Sequence, residues 1–177
     1  MATRFPERLE TPRLLLCRPT NADLPDLTAM HTDPRVMATL GGLRTTDELG
    51  AMHRRLFACW ERDGFGWWVA RHLPDGRFVG RGGLRRVHVG GRDEVEVGYG
   101  LVPDFWGQGL ATELARESVR VGFEVLGLPS FTLPTNGRSR RVMEKSGFRC
   151  ERGVEHAGLP HVLYRLRREG WVGNHSK

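Results

Sequence analysis

The chain has 177 residues, with 27 Lys plus Arg against 21 Asp plus Glu and a formal charge of +6; this size suits one domain over residues 1–177, with a core of its own and no room for a second. Three cysteines, Cys17, Cys59 and Cys150, without Cys-x-x-Cys spacing argue for a reducing compartment and against a zinc site. No apolar run approaches the ~20 residues of a membrane span and no signal-peptide core is present, so a cytoplasmic protein is expected, while arginines scattered rather than gathered into a basic stripe disfavour nucleic acid as partner.

Arg13 to Arg18 reads as a first strand, and Thr20-Asn21-Ala22-Asp23 starts a helix through Leu24, Leu27 and Met30. That helix should stop near Asp33-Pro34, since a residue before proline avoids helical backbone. Pro34 to Arg44, with Gly41-Gly42, reads as a loop. Thr45-Thr46-Asp47-Glu48 is a capping box for a helix with Leu49, Met52, Leu56, Phe57 and Trp60 on one face. Strands around Trp67 to Arg71 and Phe78 to Val87 form a hairpin turned at Pro74-Asp75-Gly76.

The stretch Glu94 to Glu113, EVEVGYGLVPDFWGQGLATE, is the most informative. Val95, Val97, Tyr99 and Leu101 fall on one face of a strand, and Glu94, Glu96, Gly98 and Gly100 on the other, so one face packs while the other combines acid with open space. Gly107 and Gly109 then lead into a helix, where bare main chain and the helix dipole favour an anion. A Walker loop would need Gly-Lys before Ser or Thr, and a dinucleotide fingerprint would need glycine at Thr112. The cradle fits another phosphorylated cofactor. The helix that follows has a narrow side of Ala111, Ala115, Ser118 and Gly122 that can approach a sheet closely. Downstream, Ser130 to Leu133 reads as a strand, Asn136 to Ser146 as a helix stopped by Gly147 in left-handed backbone, and Phe148 to Arg152 and His161 to Arg168 as the last strands. Trp67, Trp68 and Trp106 read as core or pocket wall.

Trp106-Gly107-Gln108-Gly109-Leu110-Ala111 resembles the acyl-CoA pyrophosphate loop of the GNAT superfamily of N-acetyltransferases, Gln/Arg-x-x-Gly-x-Gly/Ala. Tryptophan at its first position is similar to the branch with the ribosomal-protein N-terminal acetyltransferases. Asn136, Ser139, Val142, Glu144, Lys145, Gly147 and Phe148 match a second segment of that branch, and Glu10 to Leu14 and His161 to Leu166 extend the resemblance over nearly the whole chain. It implies an α/β (α+β) fold: a central, mostly antiparallel mixed sheet of about six to seven strands, splayed at the cofactor site and flanked by about four helices. It also implies transfer of an acetyl group from acetyl-CoA to a primary amine by direct attack, with no metal. The acceptor would be a small molecule or a peptide or protein N-terminus, and a homodimer is possible. A non-catalytic acyl-CoA-binding or sensory domain is the alternative.

The residues implied to hold the cofactor are Leu101, Val102, Gln108, Gly109, Leu110, Ala111, Thr112, Asn136, Ser139 and Arg141. A backbone amide near Leu101 or Val102 would face the oxyanion. Asn136 also serves as a helix N-cap, and Arg138, Arg140 and Arg141 read equally as a solvated face. Glu96 is the candidate general base, with Glu94 close enough to raise its basicity; the competing reading pairs these acids with Arg85 or Arg86 across the sheet. The proton donor to the thiolate falls to Ser139, Tyr164 or water, because the place where many family members carry tyrosine is Met143. The acceptor should meet Pro34 to Arg44 and Gly153 to His161.

Overall fold

The structure, a computed structural model, describes residues 4–135, 139–156 and 159–175. Its strands are β1 (Arg8–Glu10), β2 (Leu14–Cys17), β3 (Trp67–His72), β4 (Phe78–Val89), β5 (Arg92–Leu101), β6 (Ser130–Thr135), β7 (Arg149–His156) and β8 (Leu159–Arg167), and its helices are α1 (Leu24–Thr32), α2 (Pro34–Met37), α3 (Thr46–Asp63), α4 (Leu110–Glu124), α5 (Arg140–Lys145) and α6 (Arg168–His175). They form one mixed sheet in the order β1-β2-β3-β4-β5-β6-β8-β7. Every pairing is antiparallel except β5 with β6, whose parallel register is the single pair Glu96 with Thr132. Beyond Glu96 the two strands diverge, so one edge of β5 from Val97 to Leu101 is left unpaired by β6. This is the expected splay.

Among the described residues the sheet has eight strands where about six to seven were expected. The addition is β1, three residues on the sheet edge whose charged side chains give no alternation to read. The helices also exceed the expected four. Within the segment read as a loop, Asp33 accepts a bond from the Arg35 amide at 2.8 Å and Pro34 opens the single turn α2. The other addition, α6, follows the last strand directly. Among the described residues α5 starts at Arg140, and the expected start at Asn136 lies outside them.

The last strands run longer than expected, β6 to Thr135 and β7 to His156, with β8 beginning at Leu159, while local chemistry sets the start of α3 and the stop after α5 as read. Thr45 and Glu48 cap each other's amides at the start of α3, and Gly147 takes φ 87° after α5. On α4, Ala115, Ser118 and Gly122 are buried against the sheet, where a Cβ on Gly122 would lie 2.2 Å from Phe131 Cζ. The second face of β5 carries both the acid and a cleft, but the space directly over its glycines is filled. Gly98 lies under the Trp67 ring and Gly100 under Met30 and Leu40, so the glycines admit neighbouring side chains where open space was expected.

Candidate active site

β5 ends in a short 3-10 turn, Pro103–Phe105, and residues 106–109 carry the chain into α4. Gly107 and Gly109 adopt φ 74° and 79°, left-handed backbone that disfavours any side chain. Gly109 is the N-cap of α4 and offers no side chain to its amides. Among the described residues, the backbone N–H groups from Gln108 to Thr112 find no acceptor, leaving a row of donors at the positive end of a helix.

A strut from the N-terminal segment holds this row in place. Arg13 donates from Nη1 to the Gln108 carbonyl at 2.8 Å and from Nε to Glu113 at 2.7 Å. Glu113 also accepts from Thr11 Oγ1 at 2.6 Å and from the Arg13 amide at 2.8 Å. Burial alone would push the Glu113 carboxyl up, but the bonds from Thr11 and Arg13 outweigh it and hold it below the usual range. The segment Glu10 to Leu14, read as part of a resemblance and as the start of a strand, thus fixes the loop.

A pocket of about 330 Å³ opens beside the loop. Of the expected cofactor residues it gathers Leu101, Gly109, Leu110, Ala111, Thr112, Ser139 and Arg141. Val102 and Gln108 stay out of its lining. The Val102 amide is spent on the Val79 carbonyl at 2.9 Å, and the Gln108 side chain donates to the Asp104 carbonyl at 2.8 Å. Because alternate amides of a strand point to opposite edges, Leu101 turns its N–H towards the splayed side. Trp106 forms a wall, with its indole N–H on the Leu101 carbonyl at 2.7 Å. Trp67 lines the neighbouring cleft, and Trp68 is fully buried core. Asn136 and Arg138 lie outside the described residues.

That neighbouring cleft, of about 630 Å³, lies on the glycine face of β5. Glu96 lines it, buried, with one oxygen accepting from Arg85 Nη2 at 2.7 Å. Its other oxygen has no hydrogen bond among the described residues. Glu94 does not join it as a carboxylate pair. Arg165 takes both Glu94 oxygens at 3.0 and 2.8 Å, so each acid has its own arginine and the cross-sheet reading of Arg85 is the one realised.

The two cavities share Thr39, Leu40, Tyr99 and Ser139. Ser139 precedes α5 without using its side chain as a cap. Tyr99, assigned to the packing face by alternation alone, is the residue the sequence reading missed. Its hydroxyl reaches the Ser139 carbonyl at 3.4 Å, and burial pushes its pKa up to about 12, so it remains a donor. The strand pattern says which face a tyrosine takes; that this face ends at the splay was the absent signal. Tyr164 is a correction. It is buried in the core, donates to Glu144 Oε1 at 3.2 Å and lines neither cavity. Met143 is likewise fully buried core.

A family model for the acetyltransferase (GNAT) domain matches residues 13–149. An FsC-acetyl coenzyme A-N(2)-transacetylase of Aspergillus fumigatus is 35% identical, the match covering 81% of this chain and 68% of that protein. Among solved structures, an acetyltransferase from Agrobacterium tumefaciens superposes with a TM-score of 0.80 at 24% identity, over 91% of this chain and 94% of the other. An aminoglycoside acetyltransferase in complex with coenzyme A superposes with a TM-score of 0.73 at 17% identity, over 92% and 99%.

Proposed function

As the chain belongs to the GNAT acetyltransferase family, we propose that it transfers the acetyl group of acetyl-CoA to a primary amine by direct attack of nitrogen on the thioester. The observation that carries this reading is the meeting of two unlike cavities at Tyr99 and Ser139: unpartnered amides on one side, a carboxylate on the other. The amides from Gln108 to Thr112 bind the pyrophosphate, while Arg141 and Lys145, which line the same pocket, add positive charge. Acetyl-CoA supplies the activated acyl group and a thiolate leaving group.

The amine enters by the larger cleft, and its nitrogen forms the new bond to the thioester carbonyl carbon. The Leu101 N–H faces the developing oxyanion. Glu96 accepts the proton shed by nitrogen, directly or through a water, on the oxygen that Arg85 leaves open. As the carbon–sulfur bond breaks, the Tyr99 hydroxyl steadies the thiolate; a phenol near 12 is a durable hydrogen-bond donor and a weak acid. Solvent water supplies the proton that completes the thiol, directly or relayed by Ser139, which takes one proton from water as it passes one on, and Glu96 returns its own proton to solvent.

Thiol release from acetyl-CoA over a panel of amines, with mass spectrometry of the acetylated products, tests the reading. Glu96→Gln should lower turnover ~100-fold or more at neutral pH and recover partly at high pH. An unchanged pH–rate profile removes Glu96 as base. Gly109→Trp must adopt φ 79° and places a ring beside the amides; acetyl-CoA affinity equal to the parent's would sink the cradle.

A further inference from the structure

The larger cleft carries a charge pattern that the acetyl transfer itself does not need. It is lined by six arginines, Arg44, Arg55, Arg62, Arg81, Arg85 and Arg86, and by one carboxylate, Glu96. Part of that charge is met. Arg85 pairs with Glu96, and Asp63 outside the lining takes Arg62 at 2.7 Å and Arg86 at 3.4 Å. Arg44, Arg55 and Arg81 have no ion pair among the described residues.

Arg81 is the informative one, because it is only 5% exposed. An arginine that deep is normally paired, since an isolated buried cation loses several kcal/mol of hydration. Here its Nε donates to His31 Nε2 at 3.4 Å, and His31 Nδ1 then contacts His53 Nε2 at 3.2 Å. This relay requires His31 to present a bare Nε2 to Arg81, so it supplies an acceptor and no negative charge. Burial, with the Arg81 charge second, pushes the His31 pKa down to about 3, which keeps the ring neutral. The guanidinium stacks on Trp67 with its carbon 3.9 Å from the ring centroid. Neither terminal nitrogen of Arg81 has a hydrogen bond among the described residues, and the side chain lines the cleft. Arg85 and then Arg44 stand close enough to oppose its charge, and Glu96, held by Arg85, offsets it only in part and at a distance longer than an ion pair.

We propose that the acceptor is a small amine that also bears an acidic group, a carboxylate or phosphate, which docks on Arg81 with Arg44 beside it while the amine faces Glu96. The proposal rests on the acetyl-transfer reading and names its substrate class. A single carboxylate already engaged by Arg85 cannot offset three unpaired arginines, so a polyamine or aminoglycoside meets net repulsion in this cleft. An anionic group instead gives the buried Arg81 the ion pair it lacks among the described residues. The cleft volume of about 630 Å³ suits a small molecule.

The test compares thiol release for a series of ω-amino carboxylates of increasing length, their amides, the matching ω-aminoalkyl phosphates and diamines. The best acid should exceed its amide and the matched diamine at least tenfold in kcat/KM, and the carboxylate and phosphate arms identify which anion is used. Arg44→Gln should erase most of that preference through KM, and Arg81→Lys should shift it while Arg81→Met abolishes it. Should the Met variant not fold, the exposed Arg44 position decides. Neutral or cationic amines turning over as well as the acids would overturn the proposal and leave acetyl transfer standing. No release with any amine would strike acetyl transfer; calorimetry of the same amino acids and amides on CoA-loaded protein then decides the charge claim, equal binding overturning it.

Discussion

Replacing Arg13 with methionine isolates the strut behind the cofactor loop. The change removes two charge-assisted bonds, Nε to Glu113 at 2.7 Å and Nη1 to the Gln108 carbonyl at 2.8 Å. Glu113 keeps Thr11 Oγ1 and the residue 13 amide, neither of which depends on the lost side chain. Bonds to charged groups contribute ~1.5–3 kcal/mol when well buried. The Arg13 side chain is 46% exposed, so solvent screening reduces the stability loss to ~1 kcal/mol, about 2–4 °C in Tm for a chain of this size. The larger consequence should be local. With its carbonyl released, the peptide at Gln108 can rotate and the amide row loses its common aim, weakening acetyl-CoA about fivefold, or ~1 kcal/mol. Turnover at saturating acetyl-CoA should hold, because Arg13 lines neither cavity. Calorimetric titration of acetyl-CoA beside thermal melts reads both effects. A Tm loss with unchanged affinity would refute the aiming role and leave Arg13 as a brace for α4 alone.

Gly122→Ala puts a methyl 2.2 Å from Phe131 Cζ and 3.0 Å from Leu84 Cδ1, both fully buried; a loss of ~1–3 kcal/mol in urea unfolding is expected despite alanine's better helix propensity, and a gain would contradict the packing of α4. Tyr99→Phe should lower kcat about tenfold with little change in the KM for acetyl-CoA, and since its bond to Ser139 is long at 3.4 Å, folding stability should barely move; an unaltered kcat removes Tyr99 from the reaction. Stability should also fall on mild acidification. The folded His31 pKa of about 3 lies below the ordinary 6.5, so between these values the unfolded chain binds more protons. Its contribution is therefore complete above pH 6.5 and declines as pH drops towards 3, by at most ~1.4 kcal/mol per pH unit. Urea midpoints at pH 7 and pH 5 should separate more in the parent than in His31→Phe; equal separations would refute it.

Much of the cofactor side was legible because backbone chemistry writes it. Gly107 and Gly109 are needed at positive φ, Thr45 and Glu48 announce a helix start, and the small side of α4 announces close packing. Tertiary pairing, by contrast, leaves no local trace. Nothing local to Tyr164 says that its hydroxyl is taken by Glu144, nor does anything near Glu94 say that Arg165, far along the chain, claims it. Alternation named the partner of Glu96 correctly only as one of two arginines, since choosing Arg85 over Arg86 needs the β4–β5 register. The strut from Arg13 joins residues about a hundred positions apart, a distance at which periodicity carries no information.

The strand glycines carry a further consequence. Gly98 and Gly100 suggested room for a ligand, and the space goes first to protein side chains, above all to Trp67 over Gly98, where a Cβ would come within 2.6 Å of the ring. That ring is the surface on which both Arg81 and Arg85 rest, at 3.9 and 4.7 Å. Arg85 holds Glu96, and Arg81 brings a buried charge without an ion pair among the described residues to the same cleft. The missing side chain at residue 98 thus acts at one remove: it seats the tryptophan, the tryptophan spaces the two arginines, and these fix where a carboxylate acts as base and where an anion can dock. Acid and space on one face of β5 were therefore the right signals, but their ligand is reached through Trp67 and β4 rather than across the strand itself.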